Sequence, residues 1–255
     1  MSDKYLIINA DDGGLSPAID EGILDTIRAG SITSVSLLVN PPFSPCIKAF
    51  KESGVSIGLH LNLTLGKPCT PSPPPLLVDQ EGRFHGYGSS NHSALERATV
   101  KVEFLQQLDR FRDLTGTEPT HLDVHKHLHR SSAVVLSVVL EMAVMLNIPL
   151  RCTDDAGRSA CRAAEIMATD HFLGDVKPSP YWTIERLKEQ LERVSPGITE
   201  LMCHPGRNGM PMEGITYMAE RDEERRTFCS SEARELLASL RLVNFRTAPF
   251  IRKNR

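Results

Sequence analysis

No Cys-x-x-Cys pair occurs in this chain, although it carries six cysteines, Cys46, Cys69, Cys152, Cys161, Cys203 and Cys229. Thiols scattered in this way disfavour a zinc knuckle or a redox dithiol and read as reduced, mostly structural residues. Long apolar runs are also missing. The longest, 133–146, is interrupted by Ser137 and Glu141 and falls short of the roughly 20 residues that span a bilayer, so it is expected to be a buried helix. Basic clusters are scarce. Net charge is -3, and only the tail Arg252, Lys253 and Arg255 concentrates cations, so neither a nucleic-acid nor a membrane partner is expected. The opening residues lead directly into the short apolar run 5–8, which has neither the length nor the cleavage site of a secretory signal. A cytoplasmic protein is the expectation.

What is present fits one large core. At 255 residues, 40% hydrophobic and 24% charged, the chain is expected to form a single domain over 1–255. The one Pro-rich stretch, 68–75, lies too near the N-terminus to be a linker between two self-sufficient units. It belongs to a long segment, 66–93, too long for an ordinary connection and too polar for core, which is expected to overhang the active site.

Strand-like and helix-like patterns alternate along the chain. Strands are expected at 5–10, 33–39, 55–64, 120–127, 149–152, 199–203 and 243–246, with helices following Ser16-Pro17 and at 45–53, 95–115, 131–147, 184–194 and 231–241. Repeated βα units imply a parallel sheet, most economically closed into a barrel. In the segment 55–64, Val55, Ile57, Leu59, Leu61 and Leu63 share one face, while Ser56, Gly58, His60, Asn62 and Thr64 share the other. An open sheet sandwiched by helices would be apolar on both faces, so a TIM-like barrel with a polar upper interior fits better, distorted or with fewer than eight regular strands.

Four groups of residues carry candidate chemistry. The run 121–129 places His121, Asp123, His125, His127 and His129 on one face if the strand stays extended, a concentration that suits metal ligation. Asp11 and Asp12 stand where the first strand runs out, so that a bend there lets one bind metal while the other faces an attacking water. His60 lies on the polar face of its strand, and His204 ends a strand just before Pro205-Gly206. All four groups fall at the carboxyl ends of expected parallel strands, where barrel chemistry is built. Spacing alone does not choose among the histidines.

The segments 9–16 (Asn-Ala-Asp-Asp-Gly-Gly-Leu-Ser), 58–64 (Gly-Leu-His-Leu-Asn-Leu-Thr), 121–127 (His-Leu-Asp-Val-His-Lys-His) and 202–206 (Met-Cys-His-Pro-Gly) together resemble the YdjC-like carbohydrate deacetylases. The resemblance implies a distorted TIM-like barrel, often a homodimer, that uses one divalent metal ion to remove acetyl groups from N-acetylated mono- or oligosaccharides. It implies Asp12, His60 and His125 as metal ligands, Asp11 as catalytic base and His204 as candidate acid. His127, Arg151, Asn62 and Asp123 stand as supporting or substrate-contacting residues, His127 as a group that orients Asp11 or tunes a ligand.

Mg or Zn suits the ligand set, and Mn or Co is tolerated. Two departures from the family pattern stand out: Gly13 replaces the usual aromatic, which is expected to widen or reshape the pocket near the metal, and Val124 replaces a small polar residue. Competing readings are a metal-dependent phosphoesterase, another amidohydrolase, or a metal- or sugar-binding protein without catalysis.

Overall fold

Alternating side chains near the N-terminus build the longest strand. In β1 (Lys4–Gly13), Leu6, Ile8 and Ala10 join the main core, while Ile7 packs on the opposite face with Ile198 and Phe245. A computed structural model describes residues 3–41, 46–209 and 215–250; the expected helix start at Pro45 and the basic tail 252–255 lie outside them. α1 (Pro17–Arg28) opens as its sequence predicts, with Pro17 in the first turn and the Ser16 hydroxyl accepting the Ile19 N–H at 3.3 Å. β2 (Ser34–Leu37), α2 (Ile47–Glu52) and β3 (Ser56–Leu61) follow.

The long connection after β3 is not simply polar. Leu77, Val78 and Phe84 are buried, and Val78 pairs with Phe84 in an isolated antiparallel bridge. An apolar foot therefore pins the segment, a correction to its reading as too polar for core. It ends in α3 (Asn91–Ala94) and α4 (Arg97–Thr115), which stops at Gly116 in the left-handed region.

β4 (Leu122–Val124) is much shorter than the expected strand 120–127. After Val124 the chain turns into a 3-10 segment, His125–Arg130, with Lys126 and His127 at φ 55 and 51°. The histidines beyond Asp123 therefore do not continue one extended face. α5 (Ala133–Leu146) buries Val135, Val138, Val139 and Met142 but leaves Met145 55% exposed, so it is half-covered rather than wholly buried.

α6 (Asp155–Ala163) and β5 (His171–Leu173) come next, neither expected from sequence. α7 (Ile184–Glu192) and β6 (Gly197–Cys203) match their patterns. α8 (Ala219–Cys229) is a further unexpected helix, followed by α9 (Ser231–Leu237) and β7 (Arg241–Leu242), which precedes the expected last strand 243–246.

All strand pairs are parallel, in the order β4-β3-β2-β1-β6-β5, with β7 against the start of β1. In place of the expected strand 149–152, Leu150 forms a parallel bridge with Leu122, and its N–H donates to the Met167 carbonyl at 3.0 Å. The result is an α/β fold with a curled parallel sheet, consistent with a distorted barrel of seven strands among the described residues. Inside the curl lie Asn9, Ser34, Ser36, Ser56, His60 and Glu200, all buried, as the polar strand face predicted. Parallel strands put all their carboxyl ends on one rim, and the candidate residues gather there.

Candidate active site

Two adjacent carboxylates reach one site because β1 bulges. Pairing with β2 runs Ala10 to Val35 and then Gly13 to Leu37, so β1 spends three residues where β2 spends two. Asp12 takes up the extra residue at φ 65°, a left-handed conformation that Asp tolerates better than most residues. The expected bend is thus an irregularity within a continuing strand rather than a loop beyond its end. A Cβ on Gly13 would lie 2.7 Å from Val35 Cγ1 and 2.9 Å from Leu37 Cδ2. The direction that a side chain would take from this position is thus occupied by core side chains.

Asp12, His60 and His125 converge. His60 Nε2 lies 3.5 Å and His125 Nε2 3.8 Å from Asp12 Oδ1, and one ligand atom from each of the three lies within 4.8 Å of the others. The other imidazole nitrogens are committed: His60 Nδ1 pairs with Asp123 Oδ1 at 2.7 Å, and His125 Nδ1 with Thr64 Oγ1 at 2.6 Å. Asp12 Oδ1 is buried and has no hydrogen-bond partner among the described residues. An orphaned carboxylate oxygen facing two oriented imidazoles fits a divalent cation.

Electrostatics agree with that fit. Burial opposes charge on His60, but Asp123, Asp12 and Asp11 outweigh it and lift its pKa to about 10. The carboxylates around this imidazole thus attract a cation strongly. His125, buried with less compensation, is pushed down to about 3, so its imidazole is neutral at physiological pH.

Behind this cage runs a buried network. Register places Asp123 beside His60 on the neighbouring strand. Arg151, fully buried, grips Asp11 through two bonds of 2.6 and 2.7 Å, reaches Asp123 at 3.0 Å and donates to Glu200 at 2.7 Å. Asn9 and Ser36 complete it, Asn9 donating to Asp11 and Ser36 to Asp123. Burial raises the pKa of Asp11, but Arg151 and then His60 outweigh that and hold it below the usual carboxylate range. Glu200, with less help, rises to about 7.

Arg151 and Asp123 therefore lie behind the reacting face. Asn62 serves the backbone, accepting from the N–H groups of Thr64 and Leu65 and so holding the loop that presents Thr64 to His125. His121 drops out of the constellation: its ring stacks on Phe245 at 3.7 Å, deep in the sheet interior.

A cavity of about 580 Å³ opens over the cage, lined by Asp11, Asp12, His60 and His125, with His127 and His204 also in its wall. His127 makes no hydrogen bond to Asp11 among the described residues; that carboxylate is bonded by Arg151 instead. Burial lowers the pKa of His204 to about 4, Asp11 and Asp12 pulling the other way. Tyr87, in the segment 66–93, also lines this cavity.

Three site residues carry no signal in the sequence: Arg221, Glu224 and Tyr217. Arg221 is buried on α8 and donates to Asp12 Oδ2 and, through Nε, to the Tyr217 carbonyl at 2.8 Å. The highly charged run 219–226 looks like a solvated surface, and only packing of α8 against α1 buries part of it.

The family model described as YdjC-like protein matches residues 5–239. The chain belongs to that family. Among similar sequences, a carbohydrate deacetylase of Clostridium beijerinckii is 31% identical over 94% of this chain and 98% of its own length. A carbohydrate deacetylase of Geobacillus stearothermophilus is 33% identical over 87% of each chain. A chitooligosaccharide deacetylase of Klebsiella pneumoniae is 29% identical over 84% of this chain and 86% of its own.

Among solved structures, an Enterococcus faecalis protein described as a candidate cellobiose-phosphate cleavage protein superposes with TM-score 0.85 at 28% identity, over 96% of this chain and 99% of its own. A family 4 acetyl xylan esterase from Clostridium thermocellum, solved with a cobalt ion, shares the fold at TM-score 0.55 and 12% identity, over 95% and 89%.

Proposed function

We propose that this protein is a metal-dependent hydrolase that removes acetyl groups from N-acetylated carbohydrates. The observation that carries the reading is the convergence of Asp12, His60 and His125 beneath a cavity that also receives Asp11. The names of the related carbohydrate deacetylases support the substrate class.

Asp12, His60 and His125 hold one divalent ion, Mg or Zn by their donor types, with Mn or Co as alternatives. Such an ion supplies Lewis acidity, lowering the pKa of water and polarising the acetyl carbonyl. Asp11 removes the proton of the attacking water. Its bidentate pair with Arg151 fixes the carboxylate's orientation and keeps it ionised, ready to accept.

His204 protonates the departing amine. It is neutral before reaction; as negative charge develops on the tetrahedral intermediate and adds to the pull of Asp11 and Asp12, it takes up one proton from the water of the cavity, and this imidazolium gives that proton to the nitrogen as the C–N bond breaks and returns to the neutral form. His127, in the cavity wall, contacts the sugar, while Arg151, Asp123 and Asn62 hold the site from behind.

The wider reading treats 1–255 as one domain, the curled sheet as a TIM-like barrel short of one strand, and the active species as a cytoplasmic homodimer. No helix among the described residues is long and apolar enough to cross a membrane. Acetate release separates the proposal from its competitors. Purified protein loaded with Zn or Mg should release acetate from N,N'-diacetylchitobiose and leave phosphate esters intact. Phosphate release without acetate release would overturn it.

A further inference from the structure

We propose that Glu224 is the positioning residue for His204, acting through the protein backbone and through Tyr217. The inference rests on the reading of His204 as the general acid. Glu224 is fully buried on α8, one turn beyond Arg221. Its Oε2 accepts the backbone N–H of His204 at 2.6 Å, and its Oε1 accepts the Tyr217 hydroxyl at 2.6 Å. The same hydroxyl accepts the Tyr181 N–H at 2.9 Å. The Tyr217 ring stands edge-on to the His204 imidazole, with centroids 5.8 Å apart and planes at 67°.

The need for such an anchor follows from a contrast. His60 and His125 are each oriented through Nδ1, by Asp123 and Thr64. His204 Nδ1 is buried and has no hydrogen-bond partner among the described residues. Nothing grips the ring by its own nitrogen, so its place depends on where its backbone sits and on the ring it packs against. Glu224 holds both. An acid displaced by a fraction of an ångström loses proton-transfer efficiency while the water-activating side of the site is untouched.

Retaining a carboxylate here is otherwise unfavourable, because burial without a direct cationic partner pushes against ionisation. Among the described residues Glu224 makes no ion pair; the charge of Arg221 and the Trp182 backbone N–H help to hold it, but its two shortest bonds go to His204 and Tyr217.

The test turns on the leaving group. The amine of an N-acetyl sugar departs only with a proton, whereas p-nitrophenolate departs from p-nitrophenyl acetate without one. In metal-loaded enzyme, Glu224→Gln, which keeps the volume but replaces one accepting oxygen by a donor, should lower kcat on N,N'-diacetylchitobiose about tenfold or more with little change in KM. Its loss on p-nitrophenyl acetate should be several-fold smaller. Tyr217→Phe, which only deletes the hydroxyl, should show the same selectivity more weakly, and the double variant should lose less than the product of the two.

Equal losses of Glu224→Gln on both substrates, while His204→Ala is selective for the amide, would overturn the role of Glu224 and leave the acid in place. A His204→Ala variant without amide selectivity would instead overturn the acid assignment and the positioning role with it.

Discussion

Arg151 faces three carboxylates, Asp11, Asp123 and Glu200, with no water-exposed surface of its own. Removing one partner from such a group strands the others as buried, uncompensated charges. Arg151→Met should therefore destabilise the protein by about 3–5 kcal/mol, measured by urea unfolding, and abolish acetate release. Asp11→Asn is milder. It keeps the shape and the Arg151 contact at one oxygen, so metal content by elemental analysis should match wild type while turnover falls by at least about a hundredfold. Retained turnover would remove Asp11 from the base role. At this scale the sequence was partly readable: the motifs marked Asp11, Asp12, His60, His125 and His204, but nothing in the residues around Arg151 announces that it would be fully buried among three carboxylates.

The close fit of β3 to β4 rests on a single missing methyl. A Cβ on Gly58 would fall 2.3–2.5 Å from three atoms of the His121 ring, which is held between Ser36 and Phe245. Gly58→Ala should therefore lower stability by about 1–3 kcal/mol, seen as a reduced melting temperature, with the ring of His121 displaced. A Gly58→Ala protein as stable as wild type would mean that the ring moves freely.

Elements that were legible include α1 and β3, by their side-chain periodicity, and α4 and β6. Those missed, α6, β5 and α8, are short or lack an apolar stripe. The histidine run was over-extended for a different reason. Alternation at 121–129 is compatible with a strand, but Lys126 and His127 adopt left-handed angles that no alternation pattern encodes.

Considered whole, the described residues include five imidazoles whose pKa values burial drives far below the ordinary 6.5: His121 and His127 to about 3 like His125, and His129 and His204 to about 4. Between pH 6.5 and 4 the unfolded chain binds protons at these positions and the folded chain does not, so stability rises with pH across that window. His60, lifted to about 10, is protonated in both states there and adds no slope. Metal-stripped protein should accordingly lose stability steeply as pH falls from 6.5 to 4, by more than one proton's worth, in urea titrations at several pH values. A flat profile would contradict the burial of these rings. Restoring the ion at a hundred times its Kd should add about 2.7 kcal/mol, readable as a higher melting temperature that a chelator reverses.

Sequence alone determined the alternation of strands and helices, the polar lining of β3, and which motifs supply the ligand types, because these follow from side-chain periodicity and local chemistry. Only the tertiary structure decided that β1 bulges at Asp12, that Arg151 clamps Asp11, and that α8 brings Arg221 and Glu224 against Asp12 and His204. Those contacts join residues 140 and 209 positions apart in two of the cases. Such pairings are set by how parallel strands align their ends on one rim, a property of the curled sheet and of no segment within it.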